Sequence, residues 1–142
     1  MKVVLLKPGD EELLRRAEAI FNPKAISRQR AAMLLREPSY LMVVALGDGD
    51  AIMGRVYANV LHRYEATDLL LYEVDVAEEH QRKGVGRAML NLLARLCADR
   101  GYGEMWVLTD PANTAGNALY KSAGGKLENS PANMYVFAIA RR

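Results

Sequence analysis

The sequence predicts an α/β (α+β) fold in which a mixed sheet of about seven strands is covered by about four helices. Short apolar runs alternate with segments whose apolar residues recur at helical spacing. Glycine and proline separate most of these runs from one another. The chain has 142 residues, of which 51% are hydrophobic and 25% are charged. This composition is typical of a globular protein, and the length predicts a single domain over residues 1–142.

The first third of the chain predicts one strand followed by two helices. The strand is KVVLLK, at residues 2–7. Asp10 is placed to cap a helix with a regular apolar stripe, which Pro23 stops. Ser27 is placed to cap a second helix, which ends before Pro38.

The middle of the chain predicts a hairpin, a central strand and a long helix. The hairpin consists of YLMVVALG (40–47) and AIMGRVYANV (51–60), joined at a GDGD turn. The apolar character of LLLYEVDVA (69–77) indicates a central strand. The helix that follows carries leucines and a methionine along one face, and Gly101 can end it.

The last third predicts a strand, a helix and two closing strands. EMWVLTD (104–110) is the first of these strands, and the helix runs from Asn113 to Gly124. KLEN (126–129) and NMYVFAIA (133–140) are predicted to close the sheet, and the second of them could offer an edge for pairing. Strands and helices in this order form a mixed sheet with helices packed on it.

Composition also argues against several classes of function. Cys97 is the single cysteine, so the chain can build neither a disulfide framework nor a cysteine-based metal site, and we expect no metal. The net charge is +2 and the cations are scattered among acids, which does not favour nucleic-acid binding. No apolar segment is long enough to cross a bilayer, and the N-terminus lacks the apolar core of a signal peptide. We therefore expect a cytoplasmic protein with no membrane partner.

The segment QRKGVG lies where the central strand gives way to the long helix. The first amides of a helix lack partners and carry partial positive charge, so they can hold an anion. Gly84 and Gly86 would let a phosphate approach those amides, and Arg82, Lys83 and Arg87 add charge around them. The alternative is an ordinary strand-to-helix turn. The spacing matches neither a P-loop nor a dinucleotide-binding GxGxxG motif.

Two segments together resemble one enzyme superfamily. The pattern Gln/Arg-x-x-Gly-x-Gly/Ala after a strand resembles the acetyl-CoA-binding motif of the GNAT N-acetyltransferases, and NTAGNALYKSAG (113–124) resembles a later segment of the same superfamily. The resemblance implies a mostly antiparallel GNAT-like sheet and acetyl-CoA as cofactor, released as coenzyme A. The block VLHRYEATDLLLYEVDVAEEHQRKGVGRAMLNLLARL looks like that of the small, GNAT-type aminoglycoside 3-N-acetyltransferases. Gly125 stands where the superfamily usually has an aromatic residue.

The resemblance also implies which residues bind the cofactor. The pantetheine arm would pair with the backbone of a splayed central strand, and the diphosphate would lie on the amides at the helix start. Asn113 would either bond the pantetheine or serve only as a helix cap. The implied cofactor-binding residues are Val74, Val76, Gln81, Arg82, Lys83, Gly84, Val85, Gly86, Arg87 and Asn113.

Three residues are candidates for catalysis. An amine must be neutral to attack a thioester, and a nearby carboxylate can take its proton. Glu73 and Asp75 are charged residues inside an apolar strand, where charge is costly without a function or a partner. The resemblance favours Glu73 as the base, with Asp75 as the second choice or as a ligand of a cationic substrate; the alternative is that either pairs with a neighbouring cation. The resemblance also implies that Tyr120 donates a proton to the leaving thiolate.

The resemblance implies an enzyme that N-acetylates an aminoglycoside antibiotic, on its 3-amino group. Such a polycationic small molecule would need an acidic cleft, for which Glu65, Asp68 and Glu128 are also available, and His62 and Tyr64 could border it. The first alternative acceptor is a polyamine, a small amine or a protein N-terminus. An alternative of another class is a module that binds acyl-CoA without catalysis. The superfamily often forms dimers, so a homodimer is a further expectation.

Overall fold

Five strands and four α-helices make up the described part of the computed structural model, which comprises residues 1–128 and 133–140. In chain order they are β1 (Lys2–Leu5), α1 (Glu11–Phe21), α2 (Arg28–Arg36), β2 (Tyr40–Leu46), β3 (Ile52–His62), β4 (Thr67–Val76), α3 (Val85–Arg100), β5 (Met105–Val107) and α4 (Thr114–Ser122). Single 3₁₀ turns precede β3 and α3. The predicted α/β class and the four helices are confirmed, and the described residues contain five strands where seven were predicted.

The sheet has the strand order β1-β2-β3-β4-β5. The pairs β1/β2, β2/β3 and β3/β4 are antiparallel, and β5 runs parallel to β4. One face of the sheet packs on α3, with Met89, Leu90 and Leu93 in the core. The opposite face packs on α1 and α2, through Leu14 and Ala17 among others. The candidate functional site lies near the C-terminal end of β4, beside α1 and α4.

Several helix ends are those that the sequence predicts. The Ser27 hydroxyl accepts a hydrogen bond from the Arg30 N–H at 3.0 Å and so caps α2. Gly101 ends α3 with a φ of 70°, a left-handed conformation that suits glycine. Asp10 precedes α1 as predicted, although its carboxylate accepts from the Lys7 N–H and does not cap the helix.

The two predicted closing strands are not formed in the described residues. Residues 126–128 and 133–140 are in neither strand nor helix, and Asn129 lies outside the described residues. Apolar alternation predicts that a segment can be a strand, but a strand also needs a neighbour with which to form hydrogen bonds. β5 is only three residues long, so its outer edge offers a very short ladder. Phe137 and Ile139 are accordingly exposed.

A buried ion pair fixes the end of β4 that lies farthest from α3's first turn. The Asp68 carboxylate is almost fully buried; it accepts hydrogen bonds from Arg63 Nε and, at 3.1 Å, from the Glu104 N–H. These bonds join the β3–β4 turn to the segment that leads into β5. The hydrogen bond from Arg63 is the largest cause that lowers the pKa of Asp68 below its usual value, although burial opposes it.

We expect the substitution Asp68→Asn to destabilise the fold in a pH-dependent manner. Because the folded-state pKa of Asp68 is lowered, ionisation contributes stability above the unfolded-state pKa, about 3.9. That contribution is lost as the pH falls through the folded-state pKa. Urea unfolding at pH 7 and near pH 3 measures the effect: the variant should be less stable than the native chain at pH 7, and the difference should shrink at acid pH. An equal difference at both pH values would contradict the role of this ion pair.

Candidate active site

A β-bulge in β4 determines where the candidate catalytic residues point. Tyr57 of β3 pairs with Glu73, but the next residue, Ala58, pairs with Leu71, so Tyr72 is an extra residue in β4. In a regular strand, Leu71 and Glu73 would lie on the same face. The bulge places them on opposite faces.

Because of the bulge, the side chains of Glu73 and Asp75 do not point into the core that packs on α3. Leu71, before the bulge, belongs to the α3 core, and after the bulge it is Val74 and Val76 that pack against this core. Glu73 and Asp75 therefore face α1 on the other side of the sheet, where both form ion pairs. Without the bulge, both carboxylates would be directed into apolar packing.

The same region is where β4 and β5 separate. The parallel pairing covers three residues of each strand and ends with Leu71 opposite Val107. Beyond this point β4 continues to Val76 with β3 as its strand neighbour, so one backbone edge of residues 73–76 is not paired with β5. Within this stretch, Gln81 Nε2 donates to the Val76 carbonyl at 3.2 Å. The central strand thus has an unpaired backbone edge beyond Leu71, on the side of β5.

Arg55 connects the two acids and was not anticipated from the sequence. Its side chain is 1% exposed, and its register on β3 places it directly opposite Asp75. Arg55 Nη2 lies 2.6 Å from Glu73 Oε2 and 3.1 Å from Asp75 Oδ2. On the far side, Arg55 Nε lies 3.3 Å from Glu18 Oε1 of α1. One guanidinium therefore faces three carboxylates.

Burial in this cluster shifts the pKa of several groups. Burial raises the pKa of Asp75; Arg55 opposes this effect, and the Glu73 carboxylate adds to it. Burial likewise raises the pKa of Glu18, which Arg55 again opposes. The pKa of the Tyr120 phenol is raised, first by burial and then by the charge of Asp75. Tyr120 thus keeps its proton at neutral pH.

A cleft of about 350 Å³ opens between the separated strands. Its walls come from the end of α1, the bulged part of β4, the segment after β5 and the helix α4. Its lining residues are Phe21, Asn22, Arg55, Tyr72, Glu73, Val74, Asp75, Val107, Leu108, Thr109, Asn113 and Tyr120. The structure therefore brings the three predicted catalytic residues to one cleft.

Asn113 lines this cleft, but its side chain has structural partners. Its Oδ1 accepts from the Gly116 N–H at 3.1 Å, which caps α4, and its Nδ2 donates to Thr109 Oγ1 at 2.9 Å. Both ends of the amide are thus occupied, as expected of the cap interpretation that the sequence left open.

The backbone at the start of α3 is open at Gly84. Gly84 has a φ of 82° and open space where a Cβ would lie. The first bond within the helix runs from the Ala88 N–H to the Gly84 carbonyl, so the amides of residues 85–87 have no acceptor inside the helix. Gly86 differs, because it is buried and an added Cβ would lie 2.7 Å from the side chain of Leu119. Its local effect is to let α4 pack closely on α3.

Other residues considered from the sequence lie away from the cleft. His62 and Tyr64 are at the β3–β4 turn, about 23 Å along β3 from Arg55 at the usual rise per residue. Glu65 is in the same turn, and Asp68 is committed to its ion pair with Arg63. Glu128 is exposed and does not line the cleft.

The described residues contain neither a group of metal-ligating side chains nor a membrane-spanning helix. Among residues 1–128 and 133–140, no three side chains of His, Cys, Asp or Glu are grouped as metal ligands would be. Over the same residues, no helix combines the length and the apolar character needed to cross a membrane.

Comparison with curated proteins finds a partial match. The chain is 31% identical over 71 residues to the [ribosomal protein bS18]-alanine N-acetyltransferase of Escherichia coli K12. The matched segment is 50% of this chain and 48% of the relative, so it spans about half the length of each.

Comparison with solved structures finds the same fold across almost the whole chain. An aminoglycoside acetyltransferase from an uncultured soil metagenomic sample, meta-AAC0020 in complex with sisomicin, is 21% identical with a TM-score of 0.87, over 96% of this chain and 95% of that one. The aminoglycoside N-acetyltransferase AAC(6′)-Iy in complex with CoA is 17% identical with a TM-score of 0.79, over 97% and 100%. At these identities the likeness concerns the fold.

A family model assigns most of the sequence. The model described as the acetyltransferase (GNAT) family matches residues 10–124, which include the bulged strand, the turn before α3 and Tyr120. The family uses acetyl-CoA. The chain belongs to the GNAT acetyltransferase family.

Proposed function

We propose that this protein is an acetyl-CoA-dependent N-acetyltransferase whose acceptor is an amine of an aminoglycoside antibiotic, namely the 3-amino group. The observation that carries the proposal is the acidic wall of the cleft. Glu73 and Asp75 face one guanidinium, that of Arg55, which leaves an excess of negative charge where the acceptor would lie. A polycationic amine complements such a wall.

The residues present fit acetyl-CoA on two counts. The unpaired edge of β4 after Leu71 can form strand-like hydrogen bonds with the amides of pantetheine. The amides before Ala88 can bind the diphosphate, with Arg82, Lys83 and Arg87 exposed around them. When bound, acetyl-CoA supplies an acetyl thioester, whose C–S bond breaks as the C–N bond to the amine forms.

Side chains of the protein then accept and donate the protons of the reaction. The Glu73 carboxylate takes a proton from the acceptor ammonium, directly or through one water, and so frees the nitrogen lone pair. Asp75 holds the cationic acceptor beside it. Tyr120, whose phenol stays protonated at neutral pH, donates its proton to the leaving sulfur. The nitrogen loses a second proton as the amide forms; this proton restores the phenol through solvent, and the proton on Glu73 is released to solvent.

We expect Gly84→Asp to raise the KM for acetyl-CoA by about tenfold or more while kcat changes little. Aspartate tolerates a positive φ and stabilises a helix start, but its carboxylate would repel a diphosphate at the amides. Steady-state kinetics with varied acetyl-CoA measure the effect.

The matched control is Gly101→Asp. Gly101 lies at the other end of α3, also with a positive φ and open space, so the substitution makes the same change in net charge and in local strain. It should leave the KM for acetyl-CoA unaltered. An unchanged KM in Gly84→Asp, or an equal rise in both variants, would show that the diphosphate does not bind at this turn.

A panel of acceptors tests the substrate. Purified protein, acetyl-CoA and a thiol reagent are combined with aminoglycosides, with linear polyamines and with peptides that begin with a free amine. Release of thiol with aminoglycosides at a higher kcat/KM than with the other two groups supports the proposal, and NMR of the product then locates the acetyl group. An acetyl group on another amine of the drug would correct the 3-amino assignment and leave the substrate class standing.

A protein N-terminus is the second candidate acceptor. The match to the ribosomal-protein alanine N-acetyltransferase of E. coli favours it, although that match covers about half of either protein. Turnover limited to peptides would support this candidate, and turnover limited to polyamines would support the small-amine alternative. Cofactor binding without turnover of any acceptor would indicate a binding module.

The proposal has a consequence in a cell. Acetylation removes a positive charge from the drug and with it an ion pair to ribosomal RNA. The protein would act in the cytoplasm, where that RNA is found. Its expression in a susceptible bacterium should therefore raise the concentration of aminoglycoside needed to stop growth.

A further inference from the structure

Arg55 is a buried cation, and a contribution to stability does not explain why it is there. Its side chain is 1% exposed, and its Nε and Nη1 have no hydrogen-bond partner among the described residues. Buried ion pairs often contribute no more to stability than apolar residues of similar size. An unsatisfied buried donor is a further cost. The residue therefore calls for an explanation in the cleft that it lines.

Arg55 is held from behind by α1. Glu18 Oε1 lies 3.3 Å from its Nε, and its guanidinium lies over the ring of Phe21 at 5.4 Å. Glu18 is itself fixed by a hydrogen bond from Asn22 Nδ2 to its other oxygen. These contacts leave Nη2 directed at the two carboxylates of β4.

Without this cation the two acids would repel each other. Glu73 and Asp75 share a face of β4, two residues and therefore about 7 Å apart along the strand. When two carboxylates share a site, the pKa of one of them rises. Solvent weakens this repulsion here, because the Glu73 and Asp75 side chains are 40% and 42% exposed, but both carboxylates contact the same nitrogen of Arg55. A protonated carboxylic acid can neither accept a proton from an ammonium nor hold a cation.

We propose that Arg55 is a positioning residue that keeps Glu73 and Asp75 ionised together. One carboxylate can then accept a proton from the acceptor while the other binds the cationic acceptor. The role rests on the proposed N-acetyltransferase activity of this cleft. The titratable and charged groups that surround the pair are Glu18 of α1, Tyr40 of β2, Arg55 and Tyr57 of β3, and Tyr120 of α4. Arg55 is the cation of this set.

The direct test observes the carboxyl groups without any substrate. Carbon-13 NMR of the side-chain carboxyls follows the titration of Glu73 and Asp75 in the native chain and in Arg55→Met, with Glu73→Gln and Asp75→Asn to assign the signals. We expect one of the two pKa values to rise by at least about one unit in Arg55→Met, as loss of an adjacent opposite charge implies. Two unshifted titrations in a folded variant would overturn the proposal.

A second variant applies where Arg55→Met does not fold. Arg55→Lys keeps the charge but cannot bridge three carboxylates as a guanidinium does. We expect both carboxyls to titrate in the native range while kcat falls about tenfold to a hundredfold, because the pair is no longer held in place. The matched control is Arg63→Lys, which alters an arginine paired with Asp68 at the other end of β4. Native kcat in Arg55→Lys would contradict the need for a guanidinium to hold the pair in place, and a raised carboxyl pKa in this variant, which keeps the charge, would overturn the proposal that the charge of Arg55 keeps both acids ionised.

Failure of this inference and failure of the proposed function can be told apart. If no acceptor in the panel is acetylated, the activity is wrong, and the NMR titration alone decides whether Arg55 controls the charge of the pair. If aminoglycosides are acetylated, the acid limb of the kcat/KM profile should move to higher pH in Arg55→Met. An unmoved limb together with unshifted carboxyls would leave the activity intact and remove Arg55 from it.

Discussion

Replacing Glu73 by Gln is expected to lower kcat by about 10²- to 10⁴-fold near neutral pH, the contribution typical of a general base. Glutamine keeps the size of the side chain and removes the oxygen anion that would take the proton of the ammonium. The loss should be largest at low pH, since at high pH a growing fraction of the acceptor amine is already neutral. The pH dependence of kcat, measured with saturating acetyl-CoA, tests this expectation.

Two further variants are needed to interpret this result: Asp75→Asn, which tests the second acid, and Glu65→Gln, which is the charge control. Asp75 faces the same cation as Glu73, and if it holds the acceptor, its loss should raise the acceptor's KM more than it lowers kcat. Glu65 lies in the exposed β3–β4 turn, so Glu65→Gln makes the same change in net charge away from the cleft and should alter neither constant. A larger fall in kcat for Asp75→Asn than for Glu73→Gln would exchange the two roles.

Replacing Tyr120 by Phe is expected to lower kcat by about 10²-fold or more with little change in either KM. Burial and the neighbouring Asp75 charge raise the pKa of the phenol, so the hydroxyl is a proton donor over the neutral range. Phenylalanine keeps the half-buried ring and removes only that proton. Any alkaline limb of the kcat profile that belongs to this phenol should disappear with it.

The control for this variant is Tyr102→Phe. Tyr102 packs against the same core as Tyr120, but it lies at the far end of the sheet, where its hydroxyl accepts a hydrogen bond from Arg100. Removing that hydroxyl should leave kcat unaltered. Undiminished turnover in Tyr120→Phe would assign protonation of the thiolate to another group, such as water.

Local sequence signals predict much of the fold because they act over a few residues. Ser27 caps α2 through its own hydroxyl, and Gly101 ends α3 because it can adopt a positive φ. The closing strands are different. Whether residues 133–140 pair depends on an available edge elsewhere in the sheet, and apolar alternation carries no information about that edge.

The bulge at Tyr72 marks a second limit of the sequence. It inserts one residue into the ladder without any glycine or proline to announce it. Alternation alone places Glu73 and Asp75 together on one face, as the structure does, but it places that face with Leu69 and Leu71. Alternation therefore predicts correctly that the two acids share a face, but it predicts the wrong neighbours for that face.

Arg55 could have been found by reasoning already applied to the acids. A charge inside an otherwise apolar strand needs a partner, and Arg55 stands in the apolar hairpin strand AIMGRVYANV just as Glu73 stands in LLLYEVDVA. Glu18 gives a weaker signal, because an acid beside the apolar stripe of a helix is usually solvated. Its contact with Arg55 depends on how α1 crosses the sheet, which one helix cannot reveal.

Binding of coenzyme A, followed by NMR of the backbone amides, tests most directly whether the cofactor lies along β4 and on the first turn of α3. We expect saturable changes at the amides of residues 73–76 and 83–87, with weaker changes at those residues in Gly84→Asp and full changes in Gly101→Asp. Saturable changes at another surface, or none in the native chain, would contradict it.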